Sequence, residues 1–161
     1  MRKIFLILLL SPFLSFCQEK KPDSSAINEV VMKIDKMSKT NGRSFMKYKV
    51  INNKKIKENW QHFDNKQFSR IIINHAIDSI RYSEKYYFKN GSLIYAYESE
   101  IWDSPFWGQI EYSIWSGDFY FSKGKLIDHV TLGHGKSELD DWDPENEILQ
   151  RLKKRKAELH Y

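Results

Sequence analysis

Cysteine is nearly absent from this chain of 161 residues, since Cys17 is the only one. A single thiol excludes an internal disulfide, and it excludes zinc and iron–sulfur sites built from several cysteines. Glycine and proline are scarce, with 7 and 4 residues, so the composition has no collagen-like or linker-like bias. Neither Gly-x-Ser-x-Gly nor His-Glu-x-x-His occurs, so two common hydrolase motifs are missing as well.

Aromatic residues make up 15% of the chain, hydrophobic residues 41% and charged residues 29%. This mixture is typical of a folded globular protein, and the length suits one domain. Lys and Arg outnumber Asp and Glu by 26 to 21, which gives a net charge of +5. The positive charge favours anionic partners, such as membrane surfaces or cell-envelope polymers.

The first 17 residues have the parts of an export signal. Arg2 and Lys3 give a positive start, and residues 4–10 form an unbroken apolar run before the chain turns polar. The run is shorter than the about 20 apolar residues that span a bilayer. We therefore expect residues 1–17 to be a signal peptide, and the protein to be periplasmic or secreted with no transmembrane span after processing. Export excludes nucleic acid as a partner. The alternative to a signal peptide is that these residues form a buried N-terminal helix.

Two processing routes compete at the end of this segment. Signal peptidase I needs small residues at the first and third positions before the cut. Cleavage after Cys17 places Cys17 and Ser15 there and leaves Gln18 as the new N-terminus. A lipoprotein would instead keep and acylate Cys17, and residues 14–17 resemble a lipobox except at Phe16, where a small residue is expected. We favour cleavage, and a lipid anchor at Cys17 is the alternative.

The rest of the chain is predicted to be a polar leader, residues 18–24, and a single globular domain, residues 25–161. Apolar residues recur at helical spacing at the start of the domain: Ile27, Val30, Val31, Ile34 and Met37. This pattern predicts a helix with one apolar stripe, which begins at a cap formed by Ser24 or Ser25 and ends at a left-handed Gly42. The stripe is expected to pack on a sheet, with a partner or a membrane surface as the alternative.

A second helix is predicted at the end of the chain. Asp143 is a natural N-cap, and Pro144 suits the first helical position. Its apolar face consists of Ile148, Leu149, Leu152 and Leu159. The basic residues Arg151 and 153–156 are interpreted as a solvated face, with binding to anionic lipid or polymer as the alternative.

Two similar segments, residues 86–94 and 119–127, predict β-hairpins. Each joins an aromatic strand to Leu-Ile through Asn90-Gly91 or Lys123-Gly124, and such turns connect antiparallel neighbours. The pattern resembles one in small exported bacterial proteins and lipoproteins of uncharacterised function, a resemblance that implies no activity, cofactor or site. Residues 45–51 and 68–77 are further predicted strands.

Residues 56–64 are ambiguous, because Trp60 and Phe63 have the spacing of one face of a short helix. Together the elements predict an α+β fold, an antiparallel β-meander of about five or six strands packed by an N-terminal and a C-terminal helix. A cone-shaped half-barrel with a pocket between helix and sheet is the alternative.

The best candidate binding surface is the predicted loop 101–108, with Trp102, Asp103, Phe106 and Trp107. Aromatic faces near a carboxylate can stack on sugars or hold cations, and exposed aromatic side chains can anchor a protein contact. The alternative is that the loop folds back and closes the end of the sheet.

Other chemistry has weaker support. Asp141, Asp143 and Glu145 have a spacing that could serve calcium, but carboxylates at a helix N-terminus need no metal. The histidines are scattered, and no catalytic residues can be selected, so we expect no metal and no cofactor. The predicted function is non-catalytic binding or scaffolding in the cell envelope. The alternatives are a glycan or small-ligand binder that uses the aromatic loop, and a hydrolase whose site the sequence does not identify.

Overall fold

The computed structural model describes residues 23–103 and 111–159, which form two helices and one antiparallel sheet. The elements are α1 (Ser24–Asn41), β1 (Arg43–Ile51), β2 (Lys54–Asp64), β3 (Phe68–Ile77), β4 (Ile80–Lys89), β5 (Ser92–Asp103), β6 (Glu111–Ser122), β7 (Lys125–Gly133), a 3₁₀ turn (Lys136–Glu138) and α2 (Pro144–Leu159).

The sheet is a meander in which the seven strands lie in chain order, each antiparallel to its neighbours. The α+β class with a helix at each end is confirmed, but the expected five or six strands are too few. The strand that the sequence left ambiguous is β2, which includes residues 56–64. Because side chains alternate along a strand, Trp60 and Phe63 lie on opposite faces of the sheet, and the possible helix there is wrong.

The two helices cover opposite faces of the sheet. Tyr86 and Tyr87 are neighbours in β4, so their side chains point to opposite faces. Tyr86 belongs to a buried cluster with Ile148 of α2, whereas Tyr87 belongs to a cluster with Ile34 of α1. The molecule therefore has three layers, and we name the two surfaces of the sheet the α1 face and the α2 face.

The predicted stripe of α1 and its end before Gly42 are confirmed, but the predicted N-cap and the left-handed conformation of Gly42 are wrong. The N-cap is Asp23, whose carboxylate accepts a hydrogen bond from the Ser25 N–H at 3.0 Å. Gly42 has φ −76°, which is not left-handed. A Cβ at Gly42 would lie 2.5 Å from the Ser38 carbonyl oxygen, so this glycine is required by a close backbone approach.

Helix α1 crosses the strands at one end of the sheet. The other half of the α1 face of the sheet is not covered by this helix. Its first turns, at Ala26 and Val30, line a groove with Lys89 and Lys123 of the β4–β5 and β6–β7 turns. Its middle packs on Phe63 and Phe68, which flank the β2–β3 turn. Beyond this end, no described helix covers the α1 face.

The two hairpins and the start of α2 are confirmed. Asn90 and Gly91 have φ values of 51° and 77°, and Lys123 and Gly124 have 50° and 78°, as such turns require. Helix α2 begins at Pro144, and the Asp143 carboxylate accepts from the Asn146 N–H at 3.0 Å. Within residues 23–103 and 111–159, no helix is both long and apolar enough to cross a bilayer.

Candidate functional site

A pocket of about 440 Å³ lies on the open half of the α1 face. Arg81 and Ser83 line it from β4. They share a face with Tyr87, because side chains alternate along a strand and all three positions are odd-numbered. The other lining residues of this face come from β2, β3 and β5: Lys55, Lys57, Asn59, Asn74, Ala76, Ser99 and Ile101. The volume falls in the range of about 300–1,000 Å³ that is usual for ligand sites.

The pocket has a positive and hydrogen-bonding lining. Lys55, Lys57 and Arg81 supply three cationic groups, and the neutral polar groups are those of Asn59, Asn74, Ser83 and Ser99, with Tyr82 and His75 at the border. Neither Asp nor Glu occurs among the described residues that line it. Ammonium and guanidinium groups bind phosphate and carboxylate, so the pocket has the chemistry of an anion site.

The α2 face also carries charged residues, and these are paired with one another. Glu58, Glu84 and Glu98 are buried on β2, β4 and β5, and Glu84 lies directly opposite Glu98. Like charges in such a position repel each other. Helix α2 supplies the compensation, through Arg155 beside Glu84 and Arg151 beside Glu98.

Helix α2 is fastened to the strands one after another by these pairs. Arg151 binds Glu98 on β5, and four residues later the Arg155 Nη1 donates to Glu58 on β2 at 3.1 Å. One turn further, Glu158 accepts from the Lys49 Nζ on β1 at 2.7 Å. The helix therefore crosses the strands, and its polar side chains neutralise the glutamates below it.

Arg155 keeps the Glu84 carboxylate ionised. Burial alone would raise the pKa of Glu84, but the hydrogen bonds and charge of Arg155 outweigh it and hold this pKa below the usual value. Burial would likewise lower the pKa of Arg155, but Glu84 and Glu58 raise it instead. The remaining Glu58 oxygen accepts from Trp60 Nε1 at 2.9 Å. These ion pairs hold the helix on the sheet, and a carboxylate with a lowered pKa, such as that of Glu84, is unsuited to general acid catalysis.

A second cavity on the α2 face is too small for a substrate. It measures about 50 Å³ and lies beside His75, Tyr82 and Trp115. The His75 and Tyr82 rings stack at 5.0 Å, and burial lowers the pKa of His75, so its ring is neutral at neutral pH. The His75 Nδ1 is buried and has no hydrogen-bond partner among the described residues. The space suits water rather than a ligand.

The predicted aromatic loop is described only in its first residues. Residues 101–103 belong to β5, so the expectation of a loop is wrong there: Trp102 pairs with Tyr112 of β6 in register, and their rings lie 6.0 Å apart. Trp102 is 39% exposed, and it lies on the α2 face, away from the pocket. Asp103 is the last residue of β5. Four predicted residues lie outside the described ranges: Phe106, Trp107, Cys17 and Gln18.

The acidic run before α2 has structural partners. Asp143 caps the helix, and Glu145 accepts from the Leu126 N–H at 2.8 Å. In the described part of the chain, no three His, Cys, Asp or Glu side chains come together as metal ligands would.

Neither the pocket nor the buried charges are predicted from the sequence. The basic residues of α2 are predicted to form a solvated face, but Arg155 is 7% exposed. A signal was present at Glu84, which alternates with Tyr82, Tyr86 and Phe88 on one face of a strand. A charged residue at such an inward position needs a partner.

In the comparisons with known proteins, no family model, curated protein or solved structure matches the chain.

Proposed function

We propose that this protein is an exported, non-catalytic binding protein of the cell envelope that holds an anionic ligand in the pocket on its α1 face. The observation that carries the proposal is the pocket lining: Lys55, Lys57 and Arg81 surround a space of about 440 Å³ without a described carboxylate among them. A ligand with one or more phosphate or carboxylate groups complements this lining.

Binding rather than catalysis follows from what the pocket offers. Ser83 and Ser99 are the serine residues in its lining, and a serine nucleophile needs a base within hydrogen-bond reach. The nearest histidine, His75, stacks on Tyr82 on the α2 face. The described lining residues therefore lack a nucleophile paired with a base.

The export part of the proposal is supported by the sequence alone. Residues 1–17 have the charge, apolar run and small residues of a cleaved signal, with the cut between Cys17 and Gln18. The ligand would then be a component of the periplasm, of the envelope or of the medium. A lipid anchor at Cys17 is the alternative form of the same proposal, and it would leave the pocket unchanged.

Calorimetric titration of the mature protein with inorganic phosphate, glycerol phosphate and citrate tests the proposal. We expect millimolar or tighter binding of at least one of them, and binding by Lys57→Gln that is weaker by at least about tenfold, because each charged contact contributes about 1.5–3 kcal/mol. Lys54→Gln is the matched control, because Lys54 pairs with Asp78 at 2.6 Å outside the pocket.

The opposite results would contradict the proposal. These are the absence of binding for every anion, or equal losses in the Lys57 and Lys54 variants. A neutral oligosaccharide that binds and is lost on Trp102→Ala would move the ligand site to the exposed Trp102–Tyr112 pair on the α2 face.

A further inference from the structure

An exposed apolar stripe runs along the edge strand β1. Met46, Tyr48 and Val50 are 58%, 59% and 73% exposed, and they occupy alternate positions on the α1 face. The intervening Lys49 faces the opposite way and binds Glu158 of α2. No described element of the protein covers the stripe.

The stripe lies next to the cationic groups of the pocket. In the register of β1 and β2, Tyr48 is opposite Lys57 and Val50 is opposite Lys55. The Lys55 Nζ lies 4.7 Å from the centre of the Tyr48 ring. Apolar and cationic groups are therefore direct neighbours on one continuous surface, and this surface leads from the sheet edge into the pocket.

The opposite edge of the same face has apolar residues without the cations. Val130 and Leu132 of β7 are 50% and 65% exposed, but their register partners on β6 are Asp118 and Ser116. The combination of an apolar surface with cationic neighbours is thus specific to the β1–β2 side among these two edges. Such a combination suits molecules that carry an acidic group and a hydrocarbon chain.

We infer that the ligand of the pocket is a single anionic amphiphile, such as an acidic phospholipid molecule. Its phosphate group lies among Lys55, Lys57 and Arg81, and its acyl chains lie along Met46, Tyr48 and Val50. This inference rests on the proposed function and gives it a ligand class. It adds a measurable consequence, since chain burial on the stripe must raise the affinity above that of the headgroup alone.

The experiment compares a lipid with its own headgroup. Dihexanoyl phosphatidylglycerol, kept below its critical micelle concentration, and glycerophosphoglycerol are each titrated into the mature protein. We expect the lipid to bind more than about tenfold tighter, because only the lipid buries methylene groups. This comparison uses the unaltered protein, so it does not depend on the folding of a variant.

Two double variants then locate the chains. Met46→Ser with Val50→Ser removes apolar surface along the stripe and keeps the Tyr48 ring against Lys55, so we expect lipid affinity to fall towards that of the headgroup while headgroup affinity stays unchanged. Val130→Ser with Leu132→Ser makes the same chemical change at the other edge, and both affinities should stay unchanged. Lys57→Gln should weaken lipid and headgroup alike.

Each remaining outcome overturns the inference in a recognisable way. Equal affinities for lipid and headgroup would leave the anion pocket standing and remove the amphiphile. A loss of lipid affinity that is equal in the β1 and β7 variants would exclude the stripe as the chain site. Binding to phosphatidylglycerol vesicles without binding of the monomeric lipid would replace the single-molecule site by a membrane surface contact.

Discussion

The side chain of Arg155 joins helix α2 to two strands of the sheet. Its guanidinium group donates to Glu58 and Glu84 of the sheet and to Glu158 of its own helix. The carboxylates of Glu58 and Glu84 are buried; Arg155 pairs with both, and Lys49 also lies 3.3 Å from Glu58. Removing one partner of a buried ion pair leaves an uncompensated charge, which is far costlier than never having had the pair.

We predict that Arg155→Met lowers the free energy of unfolding by about 3–5 kcal/mol at pH 7. Urea unfolding monitored by tryptophan fluorescence measures the change. Lys153→Met is the matched control, because Lys153 is an exposed residue of the same helix, and its loss should be within about 0.5 kcal/mol. Similar losses in the two variants would contradict the role given to Arg155.

The destabilisation caused by Arg155→Met is also expected to depend on pH. In the natural protein the pKa of Glu84 is below its ordinary 4.5, so its contribution to stability is present above about pH 4.5 and is lost as the pH falls through the lowered pKa. Without Arg155, burial raises this pKa, and protonation then favours the folded state. The loss of unfolding free energy caused by Arg155→Met should therefore become smaller as the pH falls from 7 towards 4.5. The loss caused by a simple packing defect would not depend on pH.

At the scale of the element, the start of α2 depends on one cap. Asp143 satisfies the Asn146 N–H with its side chain and the Glu147 N–H with its carbonyl oxygen. We predict that Asp143→Ala costs about 0.5–2 kcal/mol of stability, measured as a shift of the urea midpoint. Asp141→Ala is the control, because Asp141 is exposed in the turn before the helix. An unchanged midpoint for Asp143→Ala would contradict the cap.

The elements that the sequence predicted correctly are those with local signals. The hairpin turns require positive φ at Asn90-Gly91 and Lys123-Gly124, and these residue types supply it. The stripe of α1 and the cap of α2 likewise depend only on residues within a few positions of one another. Strand β2 was missed because Trp60 and Phe63 pack on opposite faces, which is a property of the whole sheet.

The candidate site could not be predicted, because it exists only after long-range pairing. Lys57 of β2 and Arg81 of β4 line one pocket, and β3 lies between their strands. The spacing of Lys57 and Arg81 along the chain has no helix or strand periodicity, so it does not show that the two residues meet. The burial of Arg155 has the same origin, since Glu58 and Glu84 meet it only when α2 crosses the finished sheet.

At the scale of the molecule, the two helices cover the sheet unequally. Helix α2 makes contacts from β7, where Glu145 accepts from Leu126, to β1, where Glu158 accepts from Lys49. Helix α1 packs near the end that holds the β2–β3, β4–β5 and β6–β7 turns. The pocket lies on the part of the sheet that α1 leaves exposed, so the position of this candidate site follows from the position of a single helix.

The location of the whole molecule determines which compounds can reach its pocket, and this location is itself a prediction. The positive start, the apolar run and the small residues Ser15 and Cys17 favour cleavage before Gln18, and Phe16 disfavours acylation. We predict that protein purified from its native envelope has the mass of residues 18–161, with or without cyclised Gln18, and carries no thiol. Intact-mass spectrometry makes the measurement.

A mass that includes Cys17 and acyl chains would instead show a lipoprotein, which would hold the pocket close to the lipids proposed as its ligands. The mass of the full chain would mean that residues 1–17 are not a cleaved signal, and the export proposal would then be wrong.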